Sequence, residues 1–126
     1  MFTITVDTIF SASHQLTLAD GSKEPLHEHD WKVRVAVSAA QLDEAGLVMD
    51  FYELKIKIAA ALVDLAGKKL EDVAYFADGG INASAETVSQ YIYDNLASIL
   101  PDNVELSFVE VMEQSDCWAK YSKNAT

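Results

Sequence analysis

Residues 27–37 of this chain read HEHDWKVRVAV, and apolar and polar residues alternate through most of this stretch. Large apolar side chains fall at every second position, namely Trp31, Val33, Val35 and Val37. Because successive side chains of a β-strand point to opposite faces of the sheet, this period of two predicts a half-buried strand over residues 31–40. The same period would direct His27 and His29 to one face and Glu28 to the other.

Alternation also marks the start of the chain, where Phe2, Ile4 and Val6 are separated by polar residues. This pattern predicts a strand from residue 1 to about residue 12. The segment 18–25 is polar and rich in turn-forming residues, which predicts a connecting loop. The two strands are therefore expected to form an antiparallel hairpin with a long loop, with the histidines at its open end.

The chain has three histidines in all, and they are His14, His27 and His29. Three imidazoles from neighbouring strands can form a facial set that binds zinc and leaves one coordination position open, as catalytic zinc sites do. If all three bind a metal ion, no histidine remains to act as a general base. The alternative interpretation is two exposed loop histidines and one core histidine.

Two segments in the middle of the chain show helical spacing of apolar residues. The first begins after Asp50, a good N-cap, and extends over residues 51–65. The second begins at the predicted cap Ser84 and ends before Pro101, and residues 70–83 between the two helices are expected to be irregular. Strands predicted over residues 104–112 and 118–121 complete the order β-β-α-α-β-β, which defines an α+β fold.

The pattern also predicts the surroundings of several side chains near the end of the chain and on its surface. Strict alternation along residues 104–112 would separate Leu106 from Val109, on opposite faces of the sheet. Cys117 is expected to be a small buried side chain rather than a displaced nucleophile. Five acidic residues are expected on the solvated surface: Asp43, Glu44, Asp64, Glu71 and Asp72.

The composition suits one domain that spans residues 1–126. Half of the residues are hydrophobic, and 20 acidic against 9 basic residues give a formal net charge of −11. This charge argues against binding to nucleic acid or to an anionic membrane surface. The single cysteine cannot form an internal disulfide, so a cytoplasmic location is expected. Neither a signal peptide nor an apolar stretch long enough to span a membrane is predicted.

Motifs spread over nearly the whole chain resemble those of the 6-pyruvoyl-tetrahydropterin synthase and 6-carboxy-tetrahydropterin synthase family. They are Ser11-Ala12-Ser13-His14, Leu26-His27-x-His29, residues 46–55 (GLVMDFYELK), residues 83–88 (ASAETV), residues 109–113 (VEVME) and Ala119-Lys120-Tyr121. The resemblance implies the tunnelling fold (T-fold), in which two helices pack on one face of an antiparallel sheet. It also implies that subunits join their sheets into rings, usually homohexamers, with active sites between subunits.

The resemblance further implies roles for individual residues. The three histidines would bind Zn²⁺, and the carboxylate of Glu113 would clamp the N3–H and 2-amino edge of a pterin. A planar edge with two donors suits a fixed carboxylate. Ser84 and Glu86 stand where the second helix of the family begins and helps to line the pterin pocket.

Two departures from the family pattern concern the catalytic groups. The catalytic cysteine of the family lies in the loop before the H-x-H motif, but residues 22–26 contain no cysteine. Ala66-Gly67 replaces the Asp-His pair of the family. A subgroup with Glu-x-x-His-x-His in this loop uses the glutamate in place of the cysteine, and Glu24 fits that spacing. By that resemblance, Glu24 would abstract a proton from a zinc-bound hydroxyl of the substrate.

Three functions are consistent with these features. The first is a zinc-dependent lyase that acts on 7,8-dihydroneopterin triphosphate or a related pterin, in tetrahydropterin, folate or deazapurine biosynthesis. The second is a catalytically degenerate relative that binds a pterin or a purine-like ligand. The third is a different metal-dependent reaction on a related heterocycle, in a pocket reshaped by Asp30 and Trp31. The intact histidine set and Glu113 favour the first.

Overall fold

A single antiparallel sheet of four strands forms the scaffold of the molecule, and the computed structural model describes residues 1–123. The strands lie side by side in chain order: β1 (Phe2–His14), β2 (His27–Ala39), β3 (Glu105–Gln114) and β4 (Cys117–Tyr121). β1 and β2 pair over their full lengths, so the predicted hairpin is confirmed. Both strands extend further toward the loop than predicted, and the three histidines therefore lie within strands.

Three α-helices lie between β2 and β3 in the chain, namely α1 (Phe51–Leu62), α2 (Ala74–Gly79) and α3 (Ala85–Ala97). The predicted caps are present, since the side chains of Asp50 and Ser84 accept backbone N–H groups in the first turns of α1 and α3. The α+β fold is confirmed. No helix within residues 1–123 has the length and apolar character that a membrane crossing requires.

The prediction that residues 70–83 are irregular is wrong. They contain a short 3₁₀ helix, Leu70–Asp72, and the helix α2. Helices of this length span fewer than two turns, so they show no helical period in the sequence. Their positions depend instead on two buried anchors, Leu70 and Phe76, which pack into the common core.

The core lies between one face of the sheet and the helices α1 and α3. The alternating residues of β2 are all fully buried: Trp31, Val33, Val35 and Val37. They belong to one cluster with the inward sides of the two helices, which include Leu54, Ile58, Val88 and Ile92. Burial of each such side chain contributes about 1.5–3 kcal/mol. Because His27 and His29 continue the period of Trp31, they point to this same inner face at one end of the sheet.

A β-bulge changes the phase of β3. Val37 pairs with Leu106 and Ala36 pairs with Phe108, so Ser107 is an extra residue in this strand. The bulge brings Leu106 to the same buried face as Val109. The prediction that strict alternation separates these two residues is therefore wrong.

Residues 67–69 run beside the last part of β1. The backbone N–H of Gly67 donates to the carbonyl oxygen of Ser11 (2.7 Å), and that of Ser13 donates to the carbonyl oxygen of Lys68 (3.0 Å). Gly67 has a φ of +74°, a left-handed conformation that glycine adopts more easily than any other residue. The backbone thus accounts for a glycine at this position.

Candidate metal centre

Three imidazoles meet on the inner face of the sheet, at the end where residues 15–26 connect β1 to β2. His14 and His27 are direct cross-strand partners, and His29 pairs with Ala12. The ring centroids are 4.5 Å apart for His14 and His27, 4.5 Å for His27 and His29, and 5.3 Å for His14 and His29. His14 is fully buried, and the indole of Trp31 packs edge-on against its ring. The structure therefore brings together the three histidines that the sequence singles out.

Hydrogen bonds orient two of the rings. Nδ1 of His14 lies 2.8 Å from the carbonyl oxygen of Ala83, and Nδ1 of His27 lies 2.8 Å from that of Pro25. A carbonyl oxygen only accepts, so each Nδ1 carries the proton and donates it, which leaves a free lone pair on Nε2. Metal-binding histidines usually hold their second nitrogen in this way.

The third ring, His29, favours its neutral form. Burial is the main cause that lowers the pKa of its imidazole, and the neighbouring His27 ring lowers it further. The carboxylates of Glu113 and Glu24 act in the opposite direction, with a smaller combined effect. A lowered pKa favours the neutral imidazole at neutral pH, and the neutral form is the one that binds a metal ion.

Glu113 directs its carboxylate into the middle of the imidazole cluster. It is the extra residue of a second bulge near the end of β3. Its Oε1 atom lies 2.5 Å from Nε2 of His14, 3.5 Å from Nε2 of His29 and 3.8 Å from Nε2 of His27. A bulge of this kind re-aims a side chain, and here it turns an acid of β3 toward the histidines.

The four side chains His14, His27, His29 and Glu113 each offer one ligand atom, and these atoms lie within 4.8 Å of one another. Nε2 of His14 and Nε2 of His29 are buried without a hydrogen-bond partner. In the neutral form of His14, whose one proton is on Nδ1, the close approach of Glu113 to Nε2 is not a hydrogen bond. A cation would satisfy all of these lone pairs. Imidazoles with a carboxylate are a ligand set that zinc accepts, so the residues present fit a divalent metal ion.

Glu24, the predicted base, lies at the rim of the imidazole cluster. Its Oε1 atom is 3.7 Å from Nε2 of His27. The same oxygen accepts a hydrogen bond of 3.2 Å from the backbone N–H of Leu16. The side chain is partly exposed, so it contacts solvent on one side and the cluster on the other.

A cleft of about 470 Å³ adjoins the cluster, because Glu113 lines it as well. Glu86, in the first turn of α3, also lines this cleft, together with Asp116, Cys117, Trp118 and Lys120. Two predicted substrate-binding residues, Glu86 and Glu113, thus share one cleft. The third, Ser84, is not among its lining residues; its hydroxyl accepts the backbone N–H of Thr87 (3.2 Å) in the capping box of α3.

A second cleft of similar size, about 510 Å³, lies near the end of α1. Its lining includes Gly67, Lys68, Tyr75 and Tyr91, and no histidine is among the lining residues. The cleft of about 470 Å³ is the better candidate for a substrate site, because Glu113 lines it and also belongs to the imidazole cluster.

Two predicted side-chain environments are wrong. Cys117 is exposed at the start of the short strand β4 rather than buried. Glu71 does not lie on the solvated surface, since its Oε1 atom accepts the backbone N–H of Gln15 (2.7 Å) and its Oε2 atom is buried. The environment of Glu71 depends on a contact with a residue 56 positions away, which no local pattern signals. Cys117 instead lies at the tight turn between β3 and β4, where it pairs with Gln114.

The chain belongs to the 6-pyruvoyl tetrahydropterin synthase family, whose model matches residues 3–124. It is 37% identical to the 6-pyruvoyl tetrahydrobiopterin synthase of Homo sapiens in an alignment 109 positions long, which covers 75% of this chain and 74% of the human protein. It is 32% identical to the 6-carboxy-5,6,7,8-tetrahydropterin synthase of Synechocystis sp., with 96% of this chain and 93% of that protein covered. The family resemblance of the motifs is confirmed.

Solved structures share the fold. The 6-pyruvoyl tetrahydropterin synthase of Caenorhabditis elegans matches 98% of both chains with a TM-score of 0.79, at 22% identity. A Plasmodium vivax 6-pyruvoyltetrahydropterin synthase matches 98% of both chains with a TM-score of 0.76, at 16% identity. The latter is a glutamate-to-alanine variant described as a catalytic residue mutant. At these identities the likeness concerns the fold alone, and it confirms the T-fold.

Proposed function

We propose that this chain is a zinc-dependent lyase that acts on 7,8-dihydroneopterin triphosphate or a related pterin. The observation that carries the proposal is the convergence of three imidazole nitrogens and the Glu113 carboxylate beside a cleft that also contains Glu86. The human and Synechocystis relatives are named as synthases of a tetrahydrobiopterin and a tetrahydropterin, which supports a pterin as the substrate class.

His14, His27 and His29 would hold the zinc ion. Bound there, zinc would act as a Lewis acid toward the side-chain hydroxyls of the substrate and lower their pKa. The chain supplies rings whose Nε2 lone pairs are already available, because backbone carbonyls hold Nδ1 of His14 and His27. The Trp31 indole packs against His14 and His29 and keeps water away from the inner side of the cluster.

Glu113 would orient the heterocycle. A carboxylate pairs in a bidentate manner with two parallel donors, such as the ring N–H and the exocyclic amino group of a pterin. Glu113 faces the imidazole cluster and also lines the cleft, so the ring would lie in the cleft while the substrate side chain reaches the histidines. Glu86 would complete the wall of the pocket at the start of α3, and Ser84 would support it by capping the first turn of that helix.

Glu24 would act as the base that takes the proton from a zinc-bound hydroxyl of the substrate. The three histidines are metal ligands in this proposal and residues 22–26 contain no cysteine, so a carboxylate takes the role of base. The position of Glu24 at 3.7 Å from His27 supports this role, because a general base must lie within reach of the metal-bound hydroxyl. In the Plasmodium vivax relative a glutamate is described as catalytic, which also favours a carboxylate base.

A second candidate function is binding of a pterin or a purine-like ligand without turnover. The observation that favours it is Ala66-Gly67, which has no side chain able to exchange a proton. The left-handed backbone of Gly67 disfavours any larger residue there. An identical partner chain would lack the same groups.

We also propose that copies of the chain form a ring, as the family resemblance implies. β1 lies at the edge of the sheet, and within residues 1–123 its backbone pairing outside β2 is with residues 67–69, near the end of the strand. The remaining edge offers unpaired N–H and C=O groups, which is a template for a strand of a second chain. Light scattering over a range of concentrations tests this, and a monomer at every concentration would contradict it.

A single-turnover reaction of the zinc-loaded protein with 7,8-dihydroneopterin triphosphate tests the proposed lyase, with products identified by mass. We expect a 6-pyruvoyl, 6-carboxy or 6-hydroxymethyl product, and its identity defines the branch of the family. Tight binding of the pterin without any product would contradict the lyase and support the second candidate function. Neither binding nor product would contradict both.

A further inference from the structure

The side chain of Asn82 bonds to the backbone of a loop that lies 65 positions earlier in the chain. Its Oδ1 atom accepts the N–H of Thr17 at 2.9 Å, and its Nδ2 atom donates to the carbonyl oxygen of Thr17 at 2.8 Å. An amide side chain that accepts from the N–H and donates to the carbonyl oxygen of the same residue pairs with the backbone as a neighbouring β-strand would. We propose that Asn82 is a positioning residue that holds the loop 15–26, and with it Glu24, against the imidazole cluster. The role of Glu24 in this inference rests on the proposed function.

The position of Thr17 determines that of Glu24, because the two ends of the loop 15–26 pair with each other. Thr17 and Lys23 form an antiparallel bridge. Next to this bridge, the N–H of Glu24 donates to the carbonyl oxygen of Leu16 (3.0 Å), and the Glu24 carboxylate accepts the N–H of Leu16 (3.2 Å). Leu16 and Glu24 are thus held face to face by two bonds. An anchor at Thr17 therefore fixes Glu24 as well.

The anchor is held in place because Asn82 lies two residues before Ser84, the N-cap of α3, and bonds to the first turn of that helix. The hydroxyl of Thr87, in the first turn of that helix, donates to the carbonyl oxygen of Asn82 (2.5 Å). The next carbonyl, that of Ala83, accepts the Nδ1 proton of His14 (2.8 Å). Two successive residues thus bond to the loop that carries Glu24 and to a histidine of the cluster. This arrangement sets the distance between the base and the metal ligands.

Glu71 restrains the same stretch from another direction, since its carboxylate accepts the N–H of Gln15 at 2.7 Å. Three side chains, those of Glu71, Glu24 and Asn82, therefore bond the consecutive backbone N–H groups of residues 15–17. Only Asn82 both accepts and donates, and its side chain is exposed, so its replacement leaves the core unchanged.

Hydrogen–deuterium exchange tests the anchor without any reference to activity. In Asn82→Ala, which removes both bonds, we expect the amides of Thr17 and Glu24 to exchange about 10-fold faster. In Asn82→Asp, which keeps the acceptor but removes the donor, we expect a smaller increase. The exposed Asn103, in the turn before β3, offers a matched control, and Asn103→Ala should leave the loop unchanged. Unchanged exchange in Asn82→Ala would overturn the proposal.

Zinc affinity and turnover then separate a positioning role from a general structural role. The ligands of the cluster lie on strands, so zinc affinity in Asn82→Ala should remain close to that of the unaltered protein. We expect kcat to fall by about 10- to 100-fold, with a much smaller change in KM. A loss of zinc affinity that accounts for the loss of turnover would overturn the proposal.

A double variant shows whether Asn82 acts through Glu24. If it does, Asn82→Ala should cost little further turnover once Glu24→Gln is present. If Asn82→Ala reduced turnover by the same factor with and without Glu24→Gln, the proposed link between Asn82 and Glu24 would be overturned. If the unaltered protein shows no turnover, the proposed function fails, and the exchange experiment still decides whether Asn82 holds the loop.

Discussion

The carboxylate oxygen Oε1 of Glu113 lies 2.5 Å from Nε2 of His14, in the middle of the imidazole cluster. The proton of His14 is on Nδ1, where it is donated to the carbonyl oxygen of Ala83. When His14 is neutral, two lone pairs therefore face each other, and their contact becomes favourable when a metal cation lies between them. In the substrate-free protein, the bulge in β3 thus gives the histidines a fourth potential ligand, a role that the sequence alone does not indicate for Glu113. Under the proposed function, this carboxylate would pair with the pterin ring once the substrate binds.

Replacement of this acid should weaken metal binding. In the absence of substrate, we expect Glu113→Gln to lower zinc affinity by about 10-fold or more, because it removes a negative charge and a ligand atom from the cluster. Competition with a chelator measures the effect. Glu110→Gln is a suitable control, because Glu110 lies on the same strand but faces Arg34 on the outer side of the sheet. Equal affinities in Glu113→Gln and the control would contradict a metal contact.

Metal binding should stabilise the folded chain. A metal ion that binds only the folded state adds about 2.7 kcal/mol when its free concentration is 100 times Kd. Thermal unfolding with zinc and with a chelator measures the difference, and His29→Ala should reduce it strongly. The chelated forms of the two proteins should unfold at similar temperatures, because His29 lies partly exposed at the rim of the core. A melting temperature that does not respond to zinc would contradict the candidate metal centre.

An ion pair on the outer face of the sheet should make stability depend on pH. Asp7 and Arg34 are cross-strand partners, joined by hydrogen bonds of 2.8 and 3.1 Å. The hydrogen bond from Arg34 is the main cause that lowers the pKa of Asp7. A carboxyl whose pKa is lower in the folded state stabilises the fold above its unfolded pKa of about 3.9, and this contribution is lost as the pH falls through the folded value.

Asp7→Asn should accordingly be less stable than the unaltered protein at neutral pH, and the difference should shrink as the pH falls below about 3.9. Urea unfolding at a series of pH values measures this difference. Asp102→Asn, at an exposed turn, controls for the general effect of one charge. A difference that stays constant over the whole range would show that the pair does not act through the ionised carboxylate.

A side chain at position 67 should lower the free energy of unfolding, because of the backbone conformation there. We expect Gly67→Ala to destabilise the fold by about 1 kcal/mol, because of the left-handed φ of +74°. The added Cβ would meet no atom within 4 Å, so the cost comes from the backbone alone. Ala66→Ser, at the neighbouring exposed residue, is the control for surface changes. An unchanged free energy of unfolding in Gly67→Ala would remove this explanation for the glycine.

Much of the fold is predictable because each main element has a local signal. The period of two in β2, the caps Asp50 and Ser84 and the helical spacing that follows them all act within a few residues. The bulge at Ser107 is not predictable in this way, since it appears only when β3 pairs with β2. The helix α2 is too short for its period to be seen.

The histidine cluster is predictable for a similar reason: the H-x-H spacing determines one face, and the hairpin brings His14 beside His27. The position of the Glu113 carboxylate is not, because it depends on a bulge near the end of β3. Neither are the roles of Asn82 and Glu71, because their hydrogen bonds join segments more than 50 positions apart. Such contacts arise from tertiary packing, which a local pattern does not encode.

The measurement that bears most directly on the proposed chemistry is the single-turnover rate of zinc-loaded Glu24→Gln beside that of Glu28→Gln. Glu28 is exposed on the opposite face of β2, between two proposed ligands, so its variant removes the same charge close to the metal. We predict that Glu24→Gln is slower by about 100-fold or more, since it lacks the base, while Glu28→Gln stays close to the unaltered protein. Equal rates in all three proteins would contradict a catalytic role for Glu24.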